Sequence, residues 1–181
     1  MRREWAEETE WIRRAGAGDT AAYEELLAPV LGDAERLAYG MLQDRANAED
    51  AVQDAAVRAW QRLGNVAPGR SFGPWFLGIV ANRCRDARRS NWHAVVLLAD
   101  DDEAWPPDDE WAGDGGWQEA ADLRAALAAL PDSYRVTIVL HFYLDLPLEE
   151  VSAVLGLGIA GVKTRINRGL RQLRRALQAE R

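Results

Sequence analysis

The sequence is poor in the residues that cross-link small proteins. It contains one cysteine, Cys84, and two histidines, His93 and His141. One cysteine cannot form an internal disulfide, and three such side chains cannot supply the four ligands of a structural zinc site. At 181 residues the chain is long enough to bury a hydrophobic core instead. We expect Cys84 to be a core residue and the histidines to pack or form surface hydrogen bonds.

Long apolar runs are also absent. No strictly apolar run exceeds six residues, as in 94–99, whereas a transmembrane helix needs about 20. The first residues, MRREWAEETEW, are charged where a signal peptide would be apolar. We therefore expect a soluble protein of a reducing compartment, without membrane insertion. The sequence has no phosphate-binding glycine loop, nucleophile elbow or zincin motif, so we expect no catalysis, no metal and no cofactor.

Positive charge is in deficit overall, with 22 basic and 29 acidic residues and a net charge of −7. Taken alone, this balance argues against nucleic-acid binding. The charge is unevenly distributed, however, because residues 94–119 carry nine acidic side chains and no basic ones. Residues 58–89 and 163–181 each carry seven basic side chains against one acidic. Two basic clusters joined by an acidic segment are compatible with a nucleic-acid partner.

The composition predicts an all-α protein of two small helical domains joined by a flexible acidic linker. Residues 98–117 contain a run of acids, a Pro-Pro pair and three glycines, as linkers do. Elsewhere apolar residues recur at intervals of three and four, which is typical of helices. We place the first domain at 1–93, the linker at 94–117 and the second domain at 118–181.

Four helices are predicted in the first domain. Asp19 is a candidate N-cap, and Pro29 marks an end or kink before a second helix. The third helix covers 48–63 and the fourth covers 74–89, with a loop at 64–73.

The second domain has the pattern of a helix-turn-helix. Pro131 stops one helix, and Asp132 or Ser133 can cap the next. A short helix at 148–155 then meets a turn with two glycines, followed by a final helix at 159–177.

The final helix combines an apolar stripe with a polar, mostly basic face that could read DNA. Lysine and arginine pair with phosphate or guanine, and Asn and Thr can bond to base edges. A solvated surface would explain the charges alone, but the glycine turn and the short preceding helix favour DNA. The polar face contains Lys163, Thr164, Asn167, Arg168, Arg171, Arg174 and Arg175.

Two sets of motifs resemble bacterial sigma factors of the extracytoplasmic-function (ECF) group. Region 2 of that group is similar to AEDAVQD at 48–54, Trp60, FGPWFLGIVAN at 72–82 and Arg88-Arg89. Region 4 is similar to Leu130-Pro131, Arg135, Leu140-His141, Glu149-Glu150-Val151, Leu155-Gly156 and the stretch from Gly161 to Arg165. Together the motifs span most of the chain outside the linker.

The resemblance implies a subunit that directs promoter-specific initiation by bacterial RNA polymerase, in the cytoplasm. Region 2 would bind the clamp helices of the largest core subunit and melt the −10 element, and region 4 would read the −35 element. The implied partners are core RNA polymerase, promoter DNA and an anti-sigma factor, the last left open by the sequence.

The resemblance also assigns residues to these roles. The residues expected to bind core polymerase are Asp50, Gln53, Asp54 and Val57. Those expected at the −10 DNA are Arg62, Arg70, Phe72, Trp75, Asn82 and Arg83. Those expected at the −35 DNA are Lys163, Thr164, Arg165, Asn167, Arg168 and Arg171. A solvated face would equally explain the acids on the third helix, and a core position would equally explain Trp75.

The sequence departs from the family pattern at four positions. Pro147 replaces a hydroxyl residue that usually starts the helix-turn-helix, and Gly158 replaces the usual hydroxyl cap of the recognition helix. Gly161 replaces a common Thr, and Val66 replaces a frequent aromatic in the loop. These changes leave the promoter sequence undetermined.

Two alternatives stay open at this level. One is a stand-alone helix-turn-helix regulator whose first domain senses a ligand or partner. The other is an interaction module whose acidic segment mimics nucleic acid, which would leave the two basic clusters unexplained.

Overall fold

The computed structural model describes residues 2–66, 69–94 and 117–179, and within these ranges it is helical without strands. The eight α-helices are α1 Arg2–Gly16, α2 Thr20–Leu42, α3 Arg45–Arg62, α4 Phe72–Ala94, α5 Trp117–Ala129, α6 Asp132–Ile138, α7 Leu148–Leu155 and α8 Ile159–Ala179. A 3₁₀ turn covers Leu63–Asn65, and a π-helical turn covers Val139–Tyr143. The all-α prediction is confirmed. The acidic linker lies outside the described residues except at its two ends.

Helix α2 begins where the sequence predicts and continues where the sequence predicts an end or kink. An Asp19 carboxylate oxygen accepts from the amide of Ala22 at 3.2 Å, which confirms the N-cap. The helix does not end at Pro29, which lies inside it on the exposed side. Proline removes one helical hydrogen bond, but burial of neighbours such as Leu26 and Val30 continues along the same face and holds the helix together.

Helices α3 and α4 are longer than predicted. Helix α3 starts at Arg45, because Asp44 accepts the amide of Asn47 at 2.7 Å and caps the helix. Helix α4 starts at Phe72, because a carboxylate from α1 accepts its amide hydrogen, and it runs to Ala94. The predicted loop at 64–73 is correspondingly shorter.

The predicted cap of α6 is wrong. Pro131 occupies the N-cap position and forms no side-chain cap bond. Asp132 is the first helical residue, and its carboxylate instead lies 3.1 Å from the Arg88 guanidinium on α4. After Ile138 the helix widens into the π-helical turn, a feature often found near functional surfaces.

One core extends through both halves of the chain, the first half containing α1 to α4 and the second half containing α5 to α8. In the first half it contains buried residues such as Met41 and Phe76, and in the second half Val139, Val151 and Val162. Helices α2 and α4 therefore pack directly against the second half, α2 against α6 and the π-helical turn and α4 against α7. A smaller cluster joins α5, α6 and α8.

Two glycines allow the halves to approach closely. A Cβ at Gly78 of α4 would lie 2.9 Å from the Val154 carbonyl oxygen of α7. A Cβ at Gly40 of α2 would lie 2.8 Å from Val139 Cγ1. Both distances are too short for a real contact, so any larger residue would force the halves apart.

The expectations for cysteine and histidine are met where the structure describes them. Cys84 is fully buried in the core, and this burial raises the pKa of its thiol to about 12. The Nδ1 atom of His141 lies 2.9 Å from the Leu146 carbonyl oxygen. The side chain of His93 lies outside the described residues.

Candidate nucleic-acid interface

The helix-turn-helix is formed by α7, the turn 156–158 and α8. Gly156 adopts a left-handed conformation with φ of 64°, as the residue after a helix often must. Burial of Val162, Ile166 and Leu173 fixes the rotation of α8 about its axis. The opposite side of the helix is therefore turned toward solvent.

The predicted −35 residues lie along this solvent face. Five of the six are exposed: Lys163, Thr164, Asn167, Arg168 and Arg171. Arg165 is half-buried, since it turns toward α4. The hydroxyl of Thr164 donates to the Ala160 carbonyl at 2.8 Å, so its hydrogen is engaged within the helix and its oxygen can still accept.

A basic groove lies beside the same face, between α6 and α8. It is an open cavity of about 260 Å³ lined by Tyr134, Arg168, Arg171, Gln172 and Arg175, with no acidic residue in the lining. Three guanidinium groups around one concave surface suit a phosphate group, which arginine binds in a bidentate manner. Tyr134 and Gln172 were not among the predicted site residues. Tyr134 belongs to α6, and only the fold places α6 beside α8.

The predicted −10 residues on α4 are more deeply embedded. Phe72 is 1% exposed and stacks on Phe76 with ring centroids 5.6 Å apart. Trp75 is half-buried and tilts against Phe72 at 5.8 Å. Asn82 is exposed, and its side-chain oxygen accepts from Arg85 at 2.9 Å. Asn82 is therefore the best presented of the α4 candidates.

The three predicted arginines of the −10 set differ in their surroundings. Arg83 is 19% exposed and donates to Asp54 of α3 at 2.9 Å and to Asp86 at 3.1 Å. Arg62 and Arg70 are exposed, and Arg70 also reaches the Ala153 carbonyl of α7 at 3.4 Å. Arg83 thus joins two helices in this structure, Arg70 is exposed but touches α7, and Arg62 faces solvent.

The predicted polymerase-binding residues form a column on α3. Asp50, Gln53, Asp54 and Val57 are all exposed, and their spacing of three and four residues places them on one face. Val57 is 58% exposed, an unusual position for a large apolar side chain. The structure thus brings this set together as one acidic surface with an apolar end.

The two halves of the molecule meet beside these surfaces. Arg135 donates to the Met41 carbonyl at 2.9 Å, and Gln43 donates to the Arg124 carbonyl at 2.9 Å. Arg85 of α4 also lies close to the second half, because burial and then the charge of Arg165 on α8 lower the pKa of its guanidinium. The second half therefore lies next to the α4 surface that carries Asn82.

The described residues contain no cluster of three or more His, Cys, Asp or Glu that could bind a metal. In the same ranges, no helix has the combined length and apolar character needed to span a bilayer.

Comparison with known proteins identifies both regions. The chain matches the model of Sigma-70 region 2 over residues 26–94 and that of Sigma-70, region 4 over residues 120–173. It is 33% identical to the ECF RNA polymerase sigma factor SigE of Mycolicibacterium smegmatis, in an alignment covering 87% of this chain and 63% of SigE. It is 31% identical to the RNA polymerase sigma factor CarQ of Myxococcus xanthus, covering 91% of this chain and 92% of CarQ.

Solved structures show the same two-region helical fold. CnrH, in complex with the cytosolic domain of CnrY, aligns with a TM-score of 0.70 and 26% identity, over 97% of this chain and 99% of CnrH. The sigma factor RpoE, in complex with the anti-sigma factor NepR from Bartonella quintana, aligns with a TM-score of 0.66. That alignment covers 88% of this chain and 98% of RpoE, and at 23% identity it concerns the fold alone.

The fold and the two matched regions define a transcription initiation factor of the sigma-70 type. Within that class, the chain belongs to the ECF group of RNA polymerase sigma factors.

Proposed function

We propose that this protein binds core RNA polymerase and directs it to promoters by recognising −10 and −35 elements. The observation that carries the proposal is the separation of two exposed surfaces on one chain of the sigma family. The α3 column is acidic with an apolar end, and the α8 face is basic. The first suits a protein partner and the second suits DNA.

The two DNA sites differ in the form of DNA that they recognise. The amino-terminal half of α8 would enter the major groove of duplex −35 DNA, where Lys163, Asn167 and Arg168 reach base edges. Asn82 would bind the edge of an unpaired −10 base, with Trp75 beside it as a stacking surface. The protein itself performs no catalysis in this scheme, since RNA synthesis belongs to the core enzyme.

The partners follow from the same scheme. Core polymerase and promoter DNA are the principal ones, acting in the bacterial cytoplasm. Two proteins of similar fold, CnrH and RpoE, were each solved in complex with another protein. We include an anti-sigma factor among the partners of this chain for that reason.

Run-off transcription with purified core polymerase tests the proposal. The chain is expected to confer promoter-specific initiation on core enzyme, which does not initiate at promoters by itself. A stand-alone helix-turn-helix regulator would bind duplex DNA but would not replace an initiation subunit. Specific DNA binding without core binding or run-off product would therefore overturn the proposal in favour of a regulator.

Paired variants test the division of roles. Asn82→Ala is expected to impair promoter opening more than core binding, and Gln53→Ala with Asp54→Ala is expected to do the reverse. Because Asp54 also holds Arg83, the pair Asp50→Ala with Gln53→Ala repeats the test with that ion pair intact. Glu49→Gln is the matched control, since Glu49 pairs with Arg45 at 2.7 Å on the same helix. Equal effects of both variant types on both assays would contradict the assignment.

A further inference from the structure

Helix α1 supplies an unexpected contact to the start of α4. A carboxylate oxygen of Glu8 accepts the backbone amide of Phe72 at 2.7 Å and the hydroxyl of Ser71 at 3.0 Å. These residues are more than 60 positions apart in sequence. Glu8 also precedes residue 26, where the match to the region 2 model begins.

The contact has the chemistry of a helix cap. The first amides of an α-helix lack partners within the helix, and a carboxylate there satisfies them and interacts well with the helix dipole. The cap usually comes from the residue just before the helix. Here Ser71 donates its own hydroxyl to Glu8, so the capping group of α4 comes from α1.

Helix α1 is firmly attached to the rest of the first half. Ala15 is buried, and Trp11 and Ile12 pack against the core. The carboxyl end of α1 also approaches the 3₁₀ turn, since a Cβ at Gly16 would lie 3.9 Å from the backbone nitrogen of Gly64. Helix α1 therefore contacts both the 3₁₀ turn that follows α3 and the first residue of α4.

The capped position lies among the proposed −10 residues. Arg70 lies just before the capped turn, and Phe72 is the first residue of that turn. Trp75 follows one turn later and packs on Phe72. The direction in which α4 begins thus sets where Arg70 and Trp75 stand relative to unpaired DNA.

We propose that Glu8 is a positioning residue for −10 recognition: its carboxylate fixes the first turn of α4 and so orients Arg70 and Trp75. This inference rests on the proposed function, because it assumes that this end of α4 meets the melted −10 strand. Glu8 acts through α4 and does not itself contact DNA.

The test uses the holoenzyme on a promoter fragment identified by run-off transcription. Glu8→Ala is expected to lower opening of the −10 element, measured by permanganate reactivity of unpaired thymines, by about five- to tenfold. Binding to core polymerase and binding of duplex −35 DNA by the sigma protein are expected to change less than about twofold, because α3 and α8 are not capped by Glu8. Glu10→Gln is the matched control, since Glu10 lies on the same helix and pairs only locally with Arg13 in the described contacts.

A second variant separates positioning from general stability. Glu8→Ala combined with Ser71→Asp returns a carboxylate to the same helix end and is expected to recover most of the lost opening. Failure of this rescue, no effect of Glu8→Ala, or a parallel fall in core binding, −35 binding and opening would each overturn the inference. If the unaltered protein opens no promoter, it is the proposed function that fails.

Discussion

The two DNA-binding regions of this protein are built differently. On α8 the proposed −35 residues project from one solvent face of a helix whose other face is buried. On α4 the proposed −10 residues are partly inside the core, with Phe72 buried, Trp75 half-buried and Arg83 held by two carboxylates. The proposed duplex-binding residues are thus exposed on one helix face, whereas the proposed single-strand site is integrated into the fold.

This difference has a physical basis. A major groove accepts a preformed helix, so exposure and rigid spacing are sufficient for α8. Unpaired bases are bound by stacking and by hydrogen bonds within a pocket, which requires side chains anchored in a packed wall. Helix α4 also contacts the second half of the chain through Gly78 and Arg88, so the two proposed sites lie on elements that pack against each other.

Removing Arg135 should have the largest effect on this arrangement. Its buried guanidinium donates to the carbonyl of Met41 at 2.9 Å, to that of Leu130 at 3.4 Å and to that of Ala128. Arg135→Met leaves up to three carbonyls without this donor and should lower the free energy of unfolding by about 3–5 kcal/mol, since each unsatisfied buried acceptor costs about 1–3 kcal/mol. Urea denaturation measures this loss. Arg174→Met, at an exposed position of α8, serves as the control and should change stability little.

Gly78→Ala should separate the two regions while leaving each one folded. The added methyl group would lie 2.9 Å from the Val154 carbonyl, so α7 must move away from α4 at a cost of about 1–3 kcal/mol. The radius of gyration measured by small-angle X-ray scattering should rise. At Gly73 the nearest atom to a new Cβ is 3.9 Å away, so Gly73→Ala is the matched control. An unchanged radius for Gly78→Ala would mean that the contact between the regions yields without opening.

The helical fold could largely be predicted from the sequence, because it depends on local patterns. The apolar stripe of α8 and the glycine turn before it are local, and the start of α8 at Ile159 is confirmed. The end or kink predicted at Pro29 rested on a local rule that burial along α2 overrides. The cap expected from Asp132 failed for a similar reason, since its carboxylate pairs with Arg88 across the contact between the regions.

The arrangement of the candidate site depended on long-range contacts that the sequence does not display. The exposed faces of α3 and α8 follow from helical spacing, so Val57 and Lys163 could be placed in advance. The pairing of Arg83 with Asp54 and the cap that Glu8 provides require α1, α3 and α4 to be docked first. The same holds for the groove between Tyr134 and Arg175.

Arg168→Ala should distinguish recognition of a base from binding of a phosphate on the exposed face of α8. If Arg168 reads a base, the variant should lose about 1–3 kcal/mol on the cognate −35 sequence and discriminate less at one position. Its place in the basic groove also allows a phosphate role, in which affinity falls equally on all sequences and the salt slope decreases by about 1. Electrophoretic titrations of matched and mismatched duplexes at several salt concentrations separate the two. Arg175→Ala, two turns further along the groove, is the comparison for a phosphate contact.

The titration of Cys84 should have the smallest effect on stability at neutral pH. It tests whether the core around α4 is closed to solvent. Burial raises the pKa of the Cys84 thiol to about 12, whereas an unfolded cysteine titrates at about 8.5. Near pH 7 the thiol is protonated in both states, so its titration leaves stability unchanged there. Above about pH 9 the unfolded chain loses the proton first, so stability should fall as pH rises toward 12. Replacing Cys84 with Ala should remove this alkaline slope at a constant packing cost, as urea denaturation between pH 7 and 10 would measure.

In the unaltered protein a thiol reagent at pH 8 should modify Cys84 only at the rate at which the core around α4 opens. Rapid modification of the folded protein would show that the core around α4 is open to solvent. The contrast between a buried α4 site and an exposed α8 site would then be wrong.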